Sequence, residues 1–403
     1  MAHYSFFAER SVEKYRKSDF FFVVTVILLL GFGLFTQYFC TQNYAERLFK
    51  DSFYFVKRQL ICAVAGFLGF ILLSNLKISA IRKAIPVVLF VTLVLCVLTF
   101  IPAFSVERNG ARRWLKVPFL PFAFTLQSSE VVKFTVVIFL ANVFDRQLSI
   151  SNPEERSVIP CVSVLMLFTV LVLFQKDLST SVFVFCVCLV MFIVAGMNVK
   201  WAFAVGVLSI PVLILFITSE TYRLDRIVAF IRPDEGIHTI NYQSIAAKRA
   251  ISSGRFWGTG IGSALVQSLK IPEVQADYIF AGWSEAMGLF GVMGYFLLLG
   301  LFAWRGFKIS FECRDRFAAF SSFGFVVMLV SQSILNCAVV CASVPTMGIP
   351  LPFFSLGGSS VIVSLCMCGF VVNASKCDSD SDFEEENILK LNKVGINGVN
   401  VYE

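Results

Sequence analysis

Apolar residues along this chain run in blocks of about twenty, each closed by a short polar stretch. A block of that length crosses the hydrocarbon core as one helix. Ten such blocks lie near 20–40, 58–75, 84–103, 124–143, 158–175, 178–196, 200–218, 279–303, 317–341 and 356–375. They do not alternate polar and apolar positions, which excludes an outer-membrane barrel. The sixth and seventh blocks are about four residues apart, so a tight turn must join them. The pattern predicts an all-α integral membrane protein with ten transmembrane helices and a long, partly helical outer loop between spans 7 and 8. It divides the 403 residues into a segment 1–19, a membrane domain 20–375 with its outer loop at 219–278, and a tail 376–403. The tail is polar and acidic through Asp378 to Glu386 and is expected to be disordered.

The long loop has its own pattern. Arg223 to Ile231 reads as a short amphipathic helix with Leu224, Ile227, Val228 and Ile231 on one face, suited to the membrane interface. Asn241 is placed to cap a second helix through Ala250, ended near Gly254. Gly258, Gly260 and Gly262 imitate a nucleotide loop, but the preceding strand and the following acid are missing. They read as a flexible backbone segment.

Composition agrees with the pattern. Hydrophobic residues are 57% and charged residues 15%, too few charges to solvate a soluble surface of this size. Met1 to Asp19 carries Arg10, Lys14, Arg16 and Lys17, and the next block is too long for a cleaved signal. An even span count puts both termini on one side, and the basic N-terminus makes that side cytoplasmic. Lys77, Arg82, Lys83, Arg305, Lys308, Arg314 and Arg316 fall on the same side. The opposite face breaks the positive-inside pattern, with Arg108, Arg112, Arg113 and Lys116 in one loop and Arg223, Arg226, Arg232, Lys248, Arg249, Arg255 and Lys270 in another. An anionic ligand on the outer face explains such bases; so does an inverted topology. The net charge of +7 therefore belongs to helix flanks or to that ligand, and it gives no case for nucleic acid. The 12 cysteines show no CxxC spacing, and with two histidines they read as packing residues.

Ionisable groups within spans mark candidate sites. Gln127, Glu130 and Lys133 share one helix face, either as a self-neutralising pair or as the polar wall of a substrate cavity. The adjoining Arg113 offers a guanidinium fork suited to phosphate. Asp177 either caps the sixth helix or joins that cavity, and Arg58 either snorkels or binds. Asp277 closes the long loop just before the eighth span, with Glu285 eight residues on, about two turns deeper on the same face. It is a solvated flank or, with its pKa raised by apolar surroundings, a general base. Three prolines interrupt 345–360, and Ser355 and the turn Gly357-Gly358-Ser359-Ser360 lead into the last span. Such backbone packs in protein or lines a cavity.

Taken in order, Lys57-Arg58-Gln59, Asn109-Gly-Ala-Arg-Arg-Trp114, Gln127-Ser-Ser-Glu130 with Lys133, Gln175-Lys-Asp177, Tyr242-Gln243, Gly258-Thr-Gly-Ile-Gly262, Leu269-Lys-Ile-Pro-Glu273, Asp277-Tyr-Ile-Phe280, Asn336 and Gly348 to Ser360 resemble the SEDS family. These are the FtsW/RodA polytopic proteins of bacterial cell-wall synthesis, and the likeness covers about residues 15–375. The Asn-Gly-Ala-Arg-Arg-Trp form, the length and the Pro-Thr-x-Gly wording favour the septal FtsW type; Gly-Ile-Pro-Leu-Pro-Phe leans to the elongation RodA type. Ser128 and Lys176 stand where the family usually has proline, and Ser179, Ala286 and Leu356 also depart from it.

The resemblance implies a glycosyltransferase that polymerises lipid II at the outer face of the bacterial inner membrane, at the division septum. It implies a class B penicillin-binding transpeptidase and other divisome proteins as partners. In that chemistry Asp277 would be the base, and Arg113 and Lys133, with Arg58, would face the leaving pyrophosphate. Gln127, Glu130 and Asp177 would orient these groups, while Glu285, Ser355, Gly357, Gly358 and Ser359 would line the site. A divalent cation, magnesium or manganese, could assist, though no ligand cluster in the sequence requires one. A lipid II flippase would use the same charges, and a scaffold is a third class.

Overall fold

The computed structural model describes residues 18–108, 110–116, 124–150, 157–196, 199–231, 242–261 and 271–376. The segment 1–17, the tail beyond 376 and the Asn241 cap lie outside the described residues. The ten apolar blocks become helices α1 (Phe20–Phe49), α2 (Tyr54–Asn75), α3 (Ile78–Leu98), α4 (Ser128–Leu148), α5 (Ile159–Phe174), α6 (Leu178–Val194), α7 (Val199–Thr218), α10 (Ile279–Glu312), α11 (Arg316–Val340) and α12 (Gly358–Ala374). The long loop supplies α8 (Thr221–Ile231) and α9 (Tyr242–Gly254), close to the two helices its pattern predicts. Among the described residues, α1, α2, α3, α10 and α11 are long and apolar enough to cross a membrane. Part of α7 and α8, bent by 97°, would make a sixth span if counted as one. The helices α5, α6 and α12 are apolar but have only 16, 17 and 17 residues.

Two boundaries differ from the pattern for a common reason. α1 runs on to Phe49 and α10 to Glu312, past the ends of their apolar blocks. Hydropathy marks where a helix leaves lipid, whereas capping marks where it stops. Lys50, in the left-handed region, closes α1 by donating its N–H to the Glu46 carbonyl.

The expectation of an all-α chain needs correction. Ser105–Arg108 (β1), Ala111–Lys116 (β2) and Thr125–Gln127 (β3) form an antiparallel sheet in the order β1-β2-β3. Gly110, at φ 69°, turns the β1–β2 hairpin. Lys116 pairs with Thr125 and Trp114 with Gln127, so the first residues assigned to the fourth span are an edge strand. Strands this short, two of them charged, leave no period-2 signal beside a twenty-residue apolar window.

The core is aromatic, with Phe22, Phe39, Phe144, Phe302, Phe317, Phe320, Phe325 and Phe370 fully enclosed. Helix α11 is its axis, packed by α4, α6, α10 and α12. Helices α2 and α12 approach closely because Gly66, Gly69 and Gly369 have no side chain between them. The start of α1 meets the end of α12, where Asp19 donates its N–H to Ser375 and pairs with Arg305. On the same end of the bundle, Asp145 binds Arg82 at 2.7 Å and Arg316 at 3.1 Å.

Inside α10, Gly288 adopts φ 63° and breaks the helix. A break inside a membrane helix is tolerated only if other groups satisfy the freed backbone. The segment after α9 does so reciprocally. Thr259 and Gly260 donate to the carbonyls of Glu285 and Ala286, while the N–H groups of Leu289 and Phe290 donate to Arg255 and Phe256. Gly258 and Gly260 therefore sit in a hydrogen-bonded clasp, not the flexible segment expected from the motif's composition, while Gly262 lies outside the described residues. Gly258 is the tightest member: a Cβ there would lie 2.1 Å from the Ala286 carbonyl oxygen. Gly260 also has positive φ, but open space surrounds its Cβ position. Gly258→Ala should lower the thermal midpoint clearly more than Gly260→Ala, which bears only the backbone penalty of about 1–2 kcal/mol. Equal midpoints for the two variants would refute the clasp.

Candidate functional site

The site is built where the sheet, α6, the segment before α10 and the loop before α12 converge. Asp177 is its polar hub. It caps α6 by accepting from the Thr180 N–H at 3.4 Å. Its other oxygen accepts from Gln127 Nε2 at 3.2 Å and Ser129 Oγ at 3.1 Å. Arg113, projected from β2, reaches Asp177 at 3.4 Å and also donates to the Lys176 carbonyl. The one carboxylate thus caps the helix and also gathers Gln127, Ser129 and Arg113 around it. Gln127 also donates its backbone N–H to Ser359 Oγ at 3.2 Å, tying β3 to α12.

Lys176 carries that carbonyl from a left-handed backbone, φ 63°. Proline is fixed near −65° and could not hold it. The departure from proline at this position therefore permits the turn that binds Arg113. The Lys176 ammonium also pairs with Glu220 at 2.9 Å, just ahead of α8. Lys176→Pro should detach Arg113 and reduce activity about tenfold or more, in line with the loss of one charge-assisted hydrogen bond. Lys176→Gly, which keeps the turn, should stay within a few-fold of wild type. Ser128 fills the other former proline position, the first residue of α4, and gives its hydroxyl to Gln175 at 2.9 Å.

Asp277 sits on the segment Ile271–Tyr278. Asn336 of α11 holds that segment by donating one amide to both the Asp277 carbonyl (2.9 Å) and the Ile349 carbonyl (2.8 Å). Leu356 donates its N–H to the Gln275 carbonyl at 2.8 Å. Gly348 lies directly beside the carboxylate; a Cβ there would be 3.4 Å from Oδ2. The Asp277 side chain keeps a solvent-accessible edge but is crowded by protein. Burial first, and then the like charge of Glu273, push its carboxyl up to about 6, against the opposing pull of Arg226 and Arg113. Asp177 adds a further upward push. Asp277 is thus within electrostatic reach of the Arg113–Asp177 hub.

Other predicted site residues sit elsewhere. Glu130 and Lys133 form a buried ion pair at 2.8 Å, and Lys133 donates to Gln332 at 2.7 Å. Gln332 in turn donates to the Pro350 carbonyl at 2.8 Å. This is the self-neutralising pair, and it supports the prolyl loop. Ser355 is also internal: its hydroxyl accepts from the Leu351 N–H at 2.8 Å and its carbonyl accepts from Gln59 at 3.0 Å. Gly358 packs, since a Cβ there would lie 2.5 Å from the Phe124 ring, and Gly357 precedes the first turn of α12. Arg58, half-buried, makes no ion pair among the described residues and lies near Cys62. Glu285 is buried in α10, where its carbonyl accepts from Thr259 of the clasp.

Sequence reasoning missed the two side chains that most directly accompany Asp277. Glu273 is four residues upstream, a spacing that could have suggested it. Arg226 comes from α8 and donates to the Thr346 carbonyl at 3.0 Å; only the fold brings it in. Among the described residues, no group of three His, Cys, Asp or Glu side chains converges as a metal site.

A family model for FtsW, RodA and SpoVE, described as "Cell cycle protein", matches residues 20–380. A "Probable peptidoglycan glycosyltransferase FtsW" of Trichlorobacter lovleyi is 30% identical over 357 residues, 89% of this chain and 93% of that protein. "Stage V sporulation protein E" of Bacillus subtilis is 30% identical over 89% of this chain and 97% of its own length. Two solved structures share the fold. One comes from work on a peptidoglycan synthase complex that coordinates polymerization and crosslinking, with TM-score 0.69, 23% identity and coverage of 89% and 97%. The other is the Rod shape determining protein RodA of Thermus thermophilus, with TM-score 0.64, 21% identity and coverage of 89% and 96%.

Proposed function

The chain belongs to the FtsW/RodA/SpoVE family of cell cycle proteins, and from that premise we propose that it is a peptidoglycan glycosyltransferase polymerising lipid II. The observation that carries the reading is Asp277, a carboxyl held at about 6 beside Arg226 and Arg113. A general base works best with a pKa near the working pH.

In this reading the 4-hydroxyl of the acceptor's GlcNAc gives its proton to Asp277. Its oxygen forms a bond to C1 of the donor's MurNAc, and the C1–O bond to pyrophosphate breaks. The electron pair leaves with the pyrophosphate, whose growing charge needs fixed cations. Arg113 suits that role because the Lys176 carbonyl and Asp177 orient its guanidinium in advance. Arg226 is the second such cation, and Arg58 is a third candidate. Lys133, neutralised by Glu130, acts instead through Gln332 on the loop that carries Gly348.

The protein is multi-pass, and the proposal extends to ten spans in the inner membrane with both termini cytoplasmic. That orientation puts Asp277 outside, where lipid II is consumed. The FtsW names among the relatives favour septal synthesis. A class B penicillin-binding transpeptidase is the proposed partner, because a polymerised strand needs crosslinking. Purified protein given labelled lipid II together with such a transpeptidase should yield long glycans on a resolving gel. Translocation of lipid II in proteoliposomes without any polymer would replace this reading by the flippase.

A further inference from the structure

Beside the Asp277 segment, α8, α9 and the turn after α11 enclose a pocket of about 80 Å³. At roughly 30 Å³ per water that is space for two or three waters, or for one tetrahedral oxyanion. Its polar wall is Arg226, Ser244, Lys248 and Thr346, and no carboxylate is among its described lining residues. The bond to the Thr346 carbonyl fixes Arg226 in that wall. Lys248 is exposed and makes no ion pair among the described residues. Two cations and two hydroxyls around one small concavity favour an anion with several acceptor oxygens. Phe230, Ile245 and Val344 supply an apolar side. An anion carried on an apolar chain fits that surface better than a free one.

Arg113 stands apart from this pocket, on the sheet, held by the α5–α6 turn. Both Arg113 and Arg226 nonetheless act on Asp277. Polymerisation brings two pyrophosphate-linked carriers to one centre, the donor and the acceptor. Resting on the glycosyltransferase reading, we propose that the Arg226–Lys248 pocket is a second oxyanion site, which takes a phosphate group of one prenyl pyrophosphate while Arg113 serves the other.

Lys248 carries the test, because it is exposed, does not face Asp277 directly, and can be replaced without opening a cavity. Farnesyl pyrophosphate and inorganic pyrophosphate would be titrated calorimetrically into the purified full chain. Wild type should bind farnesyl pyrophosphate at two sites. Lys248→Ala should weaken one of them about tenfold, as expected for losing one charge-assisted contact, and Lys248→Arg should restore it. Inorganic pyrophosphate should show the same dependence on Lys248 with weaker binding; equal affinity would assign the site to a free anion. In the glycan assay Lys248→Ala should raise KM for lipid II more than it lowers kcat. An unchanged isotherm for Lys248→Ala overturns the pocket while leaving the polymerase reading intact. Two-site binding with no glycan from wild type would instead overturn the polymerase reading and leave the pocket.

Discussion

Asp277→Asn is expected to fold normally and to lose two to four orders of magnitude in glycan polymerisation, the usual contribution of a positioned base. Asparagine keeps the shape and the backbone bond from Asn336, so lost activity cannot be blamed on a lost segment. The raised carboxyl sharpens the expectation. An acid whose pKa is higher in the fold than in the unfolded chain is one the fold prefers neutral. Its charge is therefore a penalty above about 6, and the penalty disappears as pH falls below the ordinary value of 3.8. The neutral variant should unfold at the same temperature as wild type or higher at pH 7.5. Wild-type rate should fall about tenfold per pH unit below about 6, as the base is protonated. Glu273→Gln removes a like charge, so it should move that acid limb to lower pH. Arg226→Gln removes an opposing one, so it should move the limb to higher pH. Near-normal glycan synthesis by a folded Asp277→Asn protein would sink the assignment of the base.

Particular residues explain what could be read from the chain and what could not. The ten helical blocks were legible because lipid imposes twenty-residue apolar runs, and few other demands produce them. Helix α8 was legible for the same kind of reason, from a one-sided apolar stripe. Asp277, Arg113, Gln127 and Asp177 stood out because they border apolar spans within the ordered motifs of the resemblance, and the fold does bring the last three into one hub. The sheet was hidden because three short strands sit beside long apolar windows. The clasp was misread because glycine composition is equally consistent with mobility and with tight backbone contact, and only the kink at Gly288 decides between them. Arg226 was one of eleven bases on its face, and its approach to Asp277 depends on the bend between α7 and α8. Glu285 was placed with Asp277 by helical spacing and by the family resemblance; Asp277 precedes the first turn of α10, so regular helical spacing does not relate the two.

Glu130→Ala is expected to be the most destabilising single change in the site region, by about 3–5 kcal/mol, because it strands Lys133 as a buried unpaired cation. Both side chains are almost fully enclosed, at 2% and 4% exposure, so solvent cannot replace the lost partner. Gln332 would still accept from Lys133, but one neutral amide does not balance a full charge in this surrounding. The disturbance should then pass through Gln332 to the Pro350 carbonyl and on to the loop that brings Gly348 against Asp277. Replacing both partners with apolar residues of similar size, Glu130→Leu with Lys133→Met, removes the charge and its need together. That double variant should recover most of the thermal stability lost by Glu130→Ala. Its activity then separates the two roles open to the pair. Recovery of polymerisation along with stability would make Glu130 and Lys133 a support for the prolyl loop, as their burial argues. A stable but inactive double variant would mean that substrate meets these charges directly, and that the cavity reaches deeper into α4 than the packed structure allows.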